Sequence, residues 1–189
     1  MTLLTEVVFM SRFDDSRSGP VCPAETYLAR PAERLVVEGY RTGLSGCAGG
    51  DPSGWQVAWT LYRDELGAHG GRIAFDGLIG MIDALGRCAR CPLRFFNSDM
   101  RHLCRDEGLL LALIAAAQHG DEQTGQIAAQ ALSCPLRCGE LAMSATDYAM
   151  RLRMVGRTLL PVSAAMTASL AKTNGTSPRD RRSALPTLH

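Results

Sequence analysis

Apolar residues recur at helical spacing through the middle of the chain, and short polar or glycine-rich segments separate the recurrences. Apolar positions that return every three or four residues lie on one face of a helix. Six such patterns are present, and none shows the strict alternation typical of a strand. The sequence therefore predicts an all-α fold, a single-domain bundle of about six helices. The patterns begin near residues 31, 53, 75, 98 or 104, 120 and 139.

Residues that favour helix ends mark the borders of these patterns. Pro31 suits the first turn of the first helix, and the glycine-rich segment 45–52 predicts a loop after it. Ser53 with Gln56 matches a capping box, and the glycines within 67–71 end the second pattern. The fourth helix begins either at Ser98 or at Cys104, where two acidic residues would follow in the first turn. The sixth runs to about residue 160, before a proline.

The two ends of the chain have a different composition from its middle. Residues 1–22 begin apolar and become polar, which predicts a flexible leader. Residues 166–189 include several arginines, and we expect a disordered basic tail there. The helical domain is predicted to span 23–165. At 189 residues, the chain is long enough for one well-buried core.

Charge and hydropathy exclude several broad classes. The net charge is +1, which argues against a strongly steered nucleic-acid or membrane binder. No apolar stretch approaches the ~18–20 residues that a membrane span needs. The cysteine number is odd, 7, and the chain has no clear export signal, so we expect a reducing, cytoplasmic location.

Five of the seven cysteines fall within one central stretch. They are Cys88, Cys91, Cys104, Cys134 and Cys138. Cys88 and Cys91 form a C-x-x-C unit, a turn that lets two thiolates reach one tetrahedral metal ion. The hypothesis that follows is a zinc or iron–sulfur site whose ligands are Cys88, Cys91, Cys104 and either Cys134 or Cys138.

Two alternatives stay open for these thiols, because the overall spacing matches no standard zinc-ribbon or ferredoxin pattern. Free cysteine packs well as a small buried hydrophobe. Redox or nucleophilic chemistry is the other alternative, and Cys104 is its best candidate. That residue lies near a predicted helix N-terminus beside Arg101 and Arg105, which would favour a thiolate.

The segment 87–105 holds five arginines against one acidic residue. Arg94, Arg101 and Arg105 could form an anion site with a helix N-terminus. Phe95 and Phe96 lie among these arginines in the sequence, and this combination of aromatic and basic residues could bind nucleic acid. The alternative is two core aromatics surrounded by arginines whose charged ends reach solvent, so nucleic acid receives little support.

Two faces could contact a protein partner. Apolar residues from Leu141 to Leu159 follow heptad spacing, and Trp55, Trp59 and Tyr62 line one helical face. Three functions follow, in order of preference: a small cytosolic regulatory or accessory protein with a cysteine-ligated metal, a metal-free interaction module that binds a protein or a second copy, and an enzyme with a Cys104 nucleophile. No standard catalytic motif is present, so the sequence leans against an enzyme.

Overall fold

A computed structural model of the chain describes residues 11–12, 27–49, 53–89, 92–98 and 100–173. It confirms the all-α bundle. We label the helices in chain order as α1 (Pro31–Gly49), α2 (Ser53–Cys88), α3 (Arg105–His119), α4 (Glu122–Leu132), α5 (Cys138–Met154) and α6 (Ala164–Lys172). The 3-10 turn Pro135–Arg137 precedes α5. Two strands of two residues each, β1 (Ser11–Arg12) and β2 (Arg94–Phe95), pair in parallel.

Helix α1 begins at Pro31 as predicted but continues into the expected loop as far as Gly49. The reason is a close crossing with the start of α2. A Cβ added at Gly54 would lie 2.6 Å from both the Thr42 carbonyl oxygen and the Gly46 nitrogen. Because glycine leaves this space open, the two backbones meet, and this contact packs the last turns of α1 against α2.

Helix α2 is a hairpin of two helical arms, 53–66 and 68–88. Gly67 separates them with φ of 73° and ψ of 170°, a conformation that favours glycine. Phe75 on the second arm contacts Trp59 on the first, with their ring centroids 5.5 Å apart. The predicted break over 67–71 is therefore a single residue, and the helix resumes at once.

Helix α3 is the centre of the bundle and is buried on almost every side, as its apolar sequence predicts. Of the two predicted starts, the later one is correct. Cys104 is the N-cap, and its backbone N–H donates to the Glu107 carboxylate at 2.9 Å. Gly120, with φ of 70°, ends the helix. Helix α4 then begins at Glu122, after its capping residue Asp121, close to the predicted start near residue 120.

The C-terminal part of the domain differs from the prediction in two places. Helix α5 ends at Met154, six residues before the expected end near 160, and Gly156 with φ of 73° follows it. Helix α6 occupies Ala164–Lys172, most of which was assigned to the disordered tail. The Ser163 side chain caps α6 by accepting a hydrogen bond from the Met166 N–H. The predicted tail from 174 onward, and the leader except 11–12, lie outside the described residues.

The helices within the described ranges are too short or too polar to cross a lipid bilayer.

Candidate functional site

Two of the cysteine-bearing helix ends meet in the fold. Cys88 is the last residue of α2, and Cys134 follows the end of α4. The Cys134 N–H donates to the Cys88 carbonyl at 3.0 Å, and Ala89 pairs with Ser133 in an antiparallel bridge. The sequence left open whether these two junctions lie together, and the structure brings them together.

The thiols at this junction have separate partners. Burial raises the pKa of the Cys88 thiol, and the nearby Glu140 carboxylate raises it further. The Cys138 thiol donates to the Pro135 carbonyl at 3.2 Å. Within the described ranges, no group of three or more histidine, cysteine, aspartate or glutamate side chains could hold a metal ion. Cys91 lies outside these ranges, so the five-cysteine site stays a prediction.

Cys104 has a different set of contacts. Its thiol donates to the Arg94 carbonyl at 3.1 Å, beside the first turn of α3. Burial raises the pKa of this thiol well above its usual value, and the Glu107 carboxylate raises it further. The arginines expected to favour a thiolate do not offset these two effects. The environment of Cys104 therefore opposes a nucleophilic role.

A buried ion pair joins α1 to α3. Arg41 and Glu107 are 2% and 0% exposed, and the Arg41 Nε lies 2.7 Å from the Glu107 Oε1. Arg41 also donates from Nη2 to the second carboxylate oxygen of Glu107 at 3.0 Å. Its remaining donors bind the backbone carbonyls of Asn97, Met100 and His102. All five guanidinium N–H groups thus have an acceptor.

The same ion pair fixes the segment before α3. Besides the three carbonyls that Arg41 binds, the Phe96 N–H donates to the Glu107 carboxylate at 3.0 Å. The Arg94 N–H donates to Asp106 at 2.9 Å. We refer to Arg41, Glu107 and the groups that they bind as the Arg41 clamp. The sequence patterns did not predict this clamp, although Arg41 lies at helical spacing between the apolar residues Val37 and Leu44, an unusual place for arginine.

The three arginines of the predicted anion site have different surroundings. Arg105 donates to the carbonyls of Leu170 and Ala171 at the end of α6 and to the Asp106 carboxylate. Its guanidinium is therefore occupied by structural contacts. Arg94 is half-buried in β2, and Arg101 is exposed. Arg101 lines a pocket together with other described residues.

That pocket, which we call the α1 pocket, has a volume of about 520 Å³. The outward face of α1 forms one wall, and the segment held by the Arg41 clamp forms the other. The described residues that line it are Leu28, Ala29, Arg34, Glu38, Arg41, Ser98, Met100 and Arg101. It is polar and combines side chains of both charges.

The two predicted partner faces are mostly used inside the molecule. The heptad residues Leu141, Ala145, Tyr148 and Leu152 are fully buried. Tyr148 forms a hydrogen bond with Tyr62 of the aromatic stripe, which is also buried. The two tryptophans of that stripe are half-buried and pack on Phe75. The buried residues of these faces hold α2 and α5 together. The contact of a partner with the half-buried tryptophans stays a prediction.

The opposite face of α5 carries exposed methionines instead. Met143 is 75% exposed, Met154 74% and Met150 38%. Leu136, in the turn before the helix, is 98% exposed. With about 3.6 residues per turn, these three methionines lie in one stripe along the helix. We call Leu136, Met143, Met150 and Met154 the methionine face.

A shallow apolar groove of about 440 Å³ runs beside this face, between α5, α4 and the end of α3. Small residues such as Ala129, Gly125, Gly139 and Ala142 line its floor. Asp121 and Glu122 lie at its edge, and no described lining residue is basic. Gly139 and Ala142 of this groove lie on α5, the helix that carries the three methionines, so the groove adjoins the methionine face.

Comparison of the chain with protein-family models, curated proteins and solved structures gave no match.

Proposed function

We propose that this protein is a small helical interaction module that docks an amphipathic helix of a partner protein on the methionine face and the adjoining groove. The observation that carries this proposal is the exposure of Leu136, Met143 and Met154, at 98%, 75% and 74%. Leucine and methionine are apolar, so their contact with water is unfavourable. Covering these side chains with an apolar partner would lower the free energy of the system.

Methionine suits such a surface for a physical reason. Its side chain is unbranched and polarisable, so it adapts to different apolar partners with little steric conflict. The groove beside it is lined by alanine and glycine, which allow a helix backbone to approach closely. A surface of this kind favours a helix whose apolar residues recur every three or four positions.

The charge at the groove edge indicates which charge the partner helix should carry. Asp121 and Glu122 are acidic, and the pKa of the Asp121 carboxyl is lowered by its hydrogen bonds with Thr124. The Asp147 and Arg151 side chains beside the methionines pair with each other at 2.7 Å and add no net charge. An amphipathic helix with a basic residue at the end that meets Glu122 would therefore complement the surface.

A synthetic peptide of leucine and lysine, with leucines at helical spacing, tests this proposal. Fluorescence anisotropy should show binding of the labelled peptide to the full chain and none of a scrambled peptide of the same composition. Met143→Gln with Met154→Gln should weaken binding about tenfold or more, since the surface loses the apolar area of its two most exposed methionines. Val57→Gln, an exposed apolar residue on α2, is the matched control.

Equal peptide affinity for the wild type and the double methionine variant would overturn the proposal. Sedimentation of the free protein distinguishes the other occupant, a second copy of this chain. Self-association that Met143→Gln with Met154→Gln abolishes, without binding of the peptide, would assign the surface to a homodimer and would also reject the partner-helix proposal.

A thiolate metal site is the second candidate, because the hydrogen bond between Cys134 and the Cys88 carbonyl brings two cysteine junctions together. Among the described residues, Cys88, Cys134 and Cys138 would supply zinc or iron–sulfur ligands after a local rearrangement of their side chains. Metal analysis and an absorption spectrum of the full chain, purified without oxygen, test this. Bound metal that Cys88→Ala and Cys134→Ala both remove would support the site, and metal-free protein would reject it.

A cytosolic location belongs to the same proposal. Support comes from the free thiols of Cys47, Cys88, Cys104, Cys134 and Cys138, since reducing compartments keep cysteines unpaired.

A further inference from the structure

Four charged residues line the α1 pocket, and not all of them are paired with one another. Arg34, Glu38 and Arg41 lie on one face of α1, where they are separated by four and three residues. Ser98, Met100 and Arg101 face them from the segment before α3. The Arg41 clamp ties the two walls together, because Arg41 donates to the Met100 carbonyl at 2.7 Å. The pocket is therefore built on a rigid, buried contact.

Two of the three arginines in the pocket already have carboxylate partners. Arg41 is bound to Glu107, and all its donors are occupied. The Arg34 Nη2 lies 3.0 Å from the Glu65 Oε1. Arg101 is exposed and forms no hydrogen bond or ion pair with any described residue. Among the described residues, Arg101 is therefore the pocket cation whose donors have no protein acceptor.

Glu38 is the acidic residue of the pocket. Its carboxylate is half-buried and accepts no hydrogen bond from any described residue. Burial raises the pKa of the Glu38 carboxyl, although Arg34 and Arg41 lower it in part. The Glu38 oxygens are not among the buried unpaired side-chain atoms of the described residues, so solvent reaches this carboxylate. Because Glu38 lines the pocket, a ligand ammonium could replace that solvent and donate a charge-assisted hydrogen bond to it.

We propose that the α1 pocket binds a small zwitterion, a free amino acid or a dipeptide, with the ligand ammonium at Glu38 and the ligand carboxylate at Arg101. A guanidinium can bind a carboxylate through two parallel hydrogen bonds, which suits Arg101 to the anionic end. Leu28, Ala29 and Met100 provide apolar wall for a ligand side chain. This site is separate from the methionine face, and either assignment can fail without the other.

Isothermal titration calorimetry on the full chain tests the proposal with four probes. These are Ala-Leu, N-acetyl-Ala-Leu, Ala-Leu amide and free leucine. The acetyl group removes the ammonium, and the amide removes the carboxylate. We expect Ala-Leu or leucine to bind. If Ala-Leu is the one that binds, each blocked form should bind about tenfold more weakly or worse, since one charge-assisted contact is lost. Leucine binding more tightly than Ala-Leu would identify a free amino acid as the ligand.

Two variants assign the ends of the ligand. Glu38→Gln should weaken binding of Ala-Leu and leave it insensitive to acetylation, and Arg101→Gln should weaken it and leave it insensitive to amidation. Both residues are at the pocket surface, so both variants should fold, which circular dichroism can check. Arg72→Gln, an exposed arginine paired with Asp76 on α2, is the control and should bind like the wild type.

Three results would overturn the proposal. The first is that neither Ala-Leu nor leucine binds to the wild type. The second is equal binding of the free and the blocked dipeptides, because the two charges would then contribute nothing. The third is unchanged affinity in both Glu38→Gln and Arg101→Gln, which would move any binding away from this pocket.

Discussion

At the scale of single residues, Arg41 and Glu107 have the strongest influence on local structure. Burying the two charges costs free energy that only their mutual contact and further hydrogen bonds offset. Here every guanidinium donor has an acceptor, and the Glu107 carboxylate also accepts from two backbone N–H groups. The sequence predicted Glu107 in the first turn of α3 but gave no partner for it, because that partner lies 66 residues away.

Glu107→Gln should lower the free energy of unfolding by about 3–5 kcal/mol, because it leaves the Arg41 charge buried without a counter-charge. Urea unfolding followed by circular dichroism measures the change. Arg72→Gln, which breaks an exposed pair on α2, should cost about 0–1 kcal/mol. A loss as small for Glu107→Gln as for Arg72→Gln would contradict the stabilising role of the clamp.

Cys104 should react slowly with iodoacetamide in the native protein at neutral pH. Its raised pKa leaves little thiolate, which is the reactive form, and the fraction should increase only as pH rises above the usual thiol range. Mass spectrometry of peptides labelled before and after denaturation in urea gives the rate at this position. Labelling of Cys104 as fast in the folded as in the unfolded chain would refute this expectation.

At the scale of elements, the sequence predicted helix starts better than helix ends. Pro31, the capping residues before α3 and Asp121 act locally, so their effects can be read from neighbouring residues. The extension of α1 to Gly49 depends on its crossing with Gly54, which is a tertiary contact. The end of α5 was placed too late because the heptad spacing continues past Gly156, where the chain turns.

Gly54→Ala should destabilise the fold by about 1–3 kcal/mol, since its Cβ would overlap the α1 backbone at Thr42 and Gly46. Gly86→Ala is the matched control on the same helix, with no atom within 4 Å of its new Cβ. It should instead stabilise α2 by about 0.5–1 kcal/mol, as alanine does in a helix. Thermal unfolding of the two variants checks the pair, and shifts of the same sign would show that α1 and α2 do not meet so closely.

At the scale of the whole molecule, the segment between α5 and α6 ties distant helices together. Gln118 of α3 donates to the carbonyls of Ala149 and Arg157 and accepts from the Leu159 N–H at 2.8 Å. The Leu160 N–H donates to Glu33 at the start of α1. The sequence predicted a single helical bundle but not its pockets or exposed faces, because these depend on how helices distant in sequence pack.

Gln118→Leu should lower the free energy of unfolding by about 2–4 kcal/mol, because buried backbone groups in the α5–α6 segment lose their partners. Chemical denaturation quantifies the loss, and amide exchange at Leu159 should quicken. Gln123→Leu, at an exposed position on α4, serves as the reference and should change stability by less than about 0.5 kcal/mol. Similar losses of unfolding free energy in both variants would mean that the Gln118 hydrogen bonds do not stabilise the α5–α6 segment.

The Arg41 clamp also sets an order of events when the chain folds. Arg41 and Glu107 are 66 residues apart, and bringing them together closes a long loop at a cost in chain entropy. We expect them to meet only after α1 and α3 have docked, because the helix packing then offsets this cost. The segment that they hold contains little regular structure of its own, so it cannot become ordered earlier. In pulse-labelled refolding, the amides of Phe96 and Cys104 should therefore gain protection after those in the middle of α3. The wall of the α1 pocket that this segment forms would then take shape after the helix that forms the opposite wall.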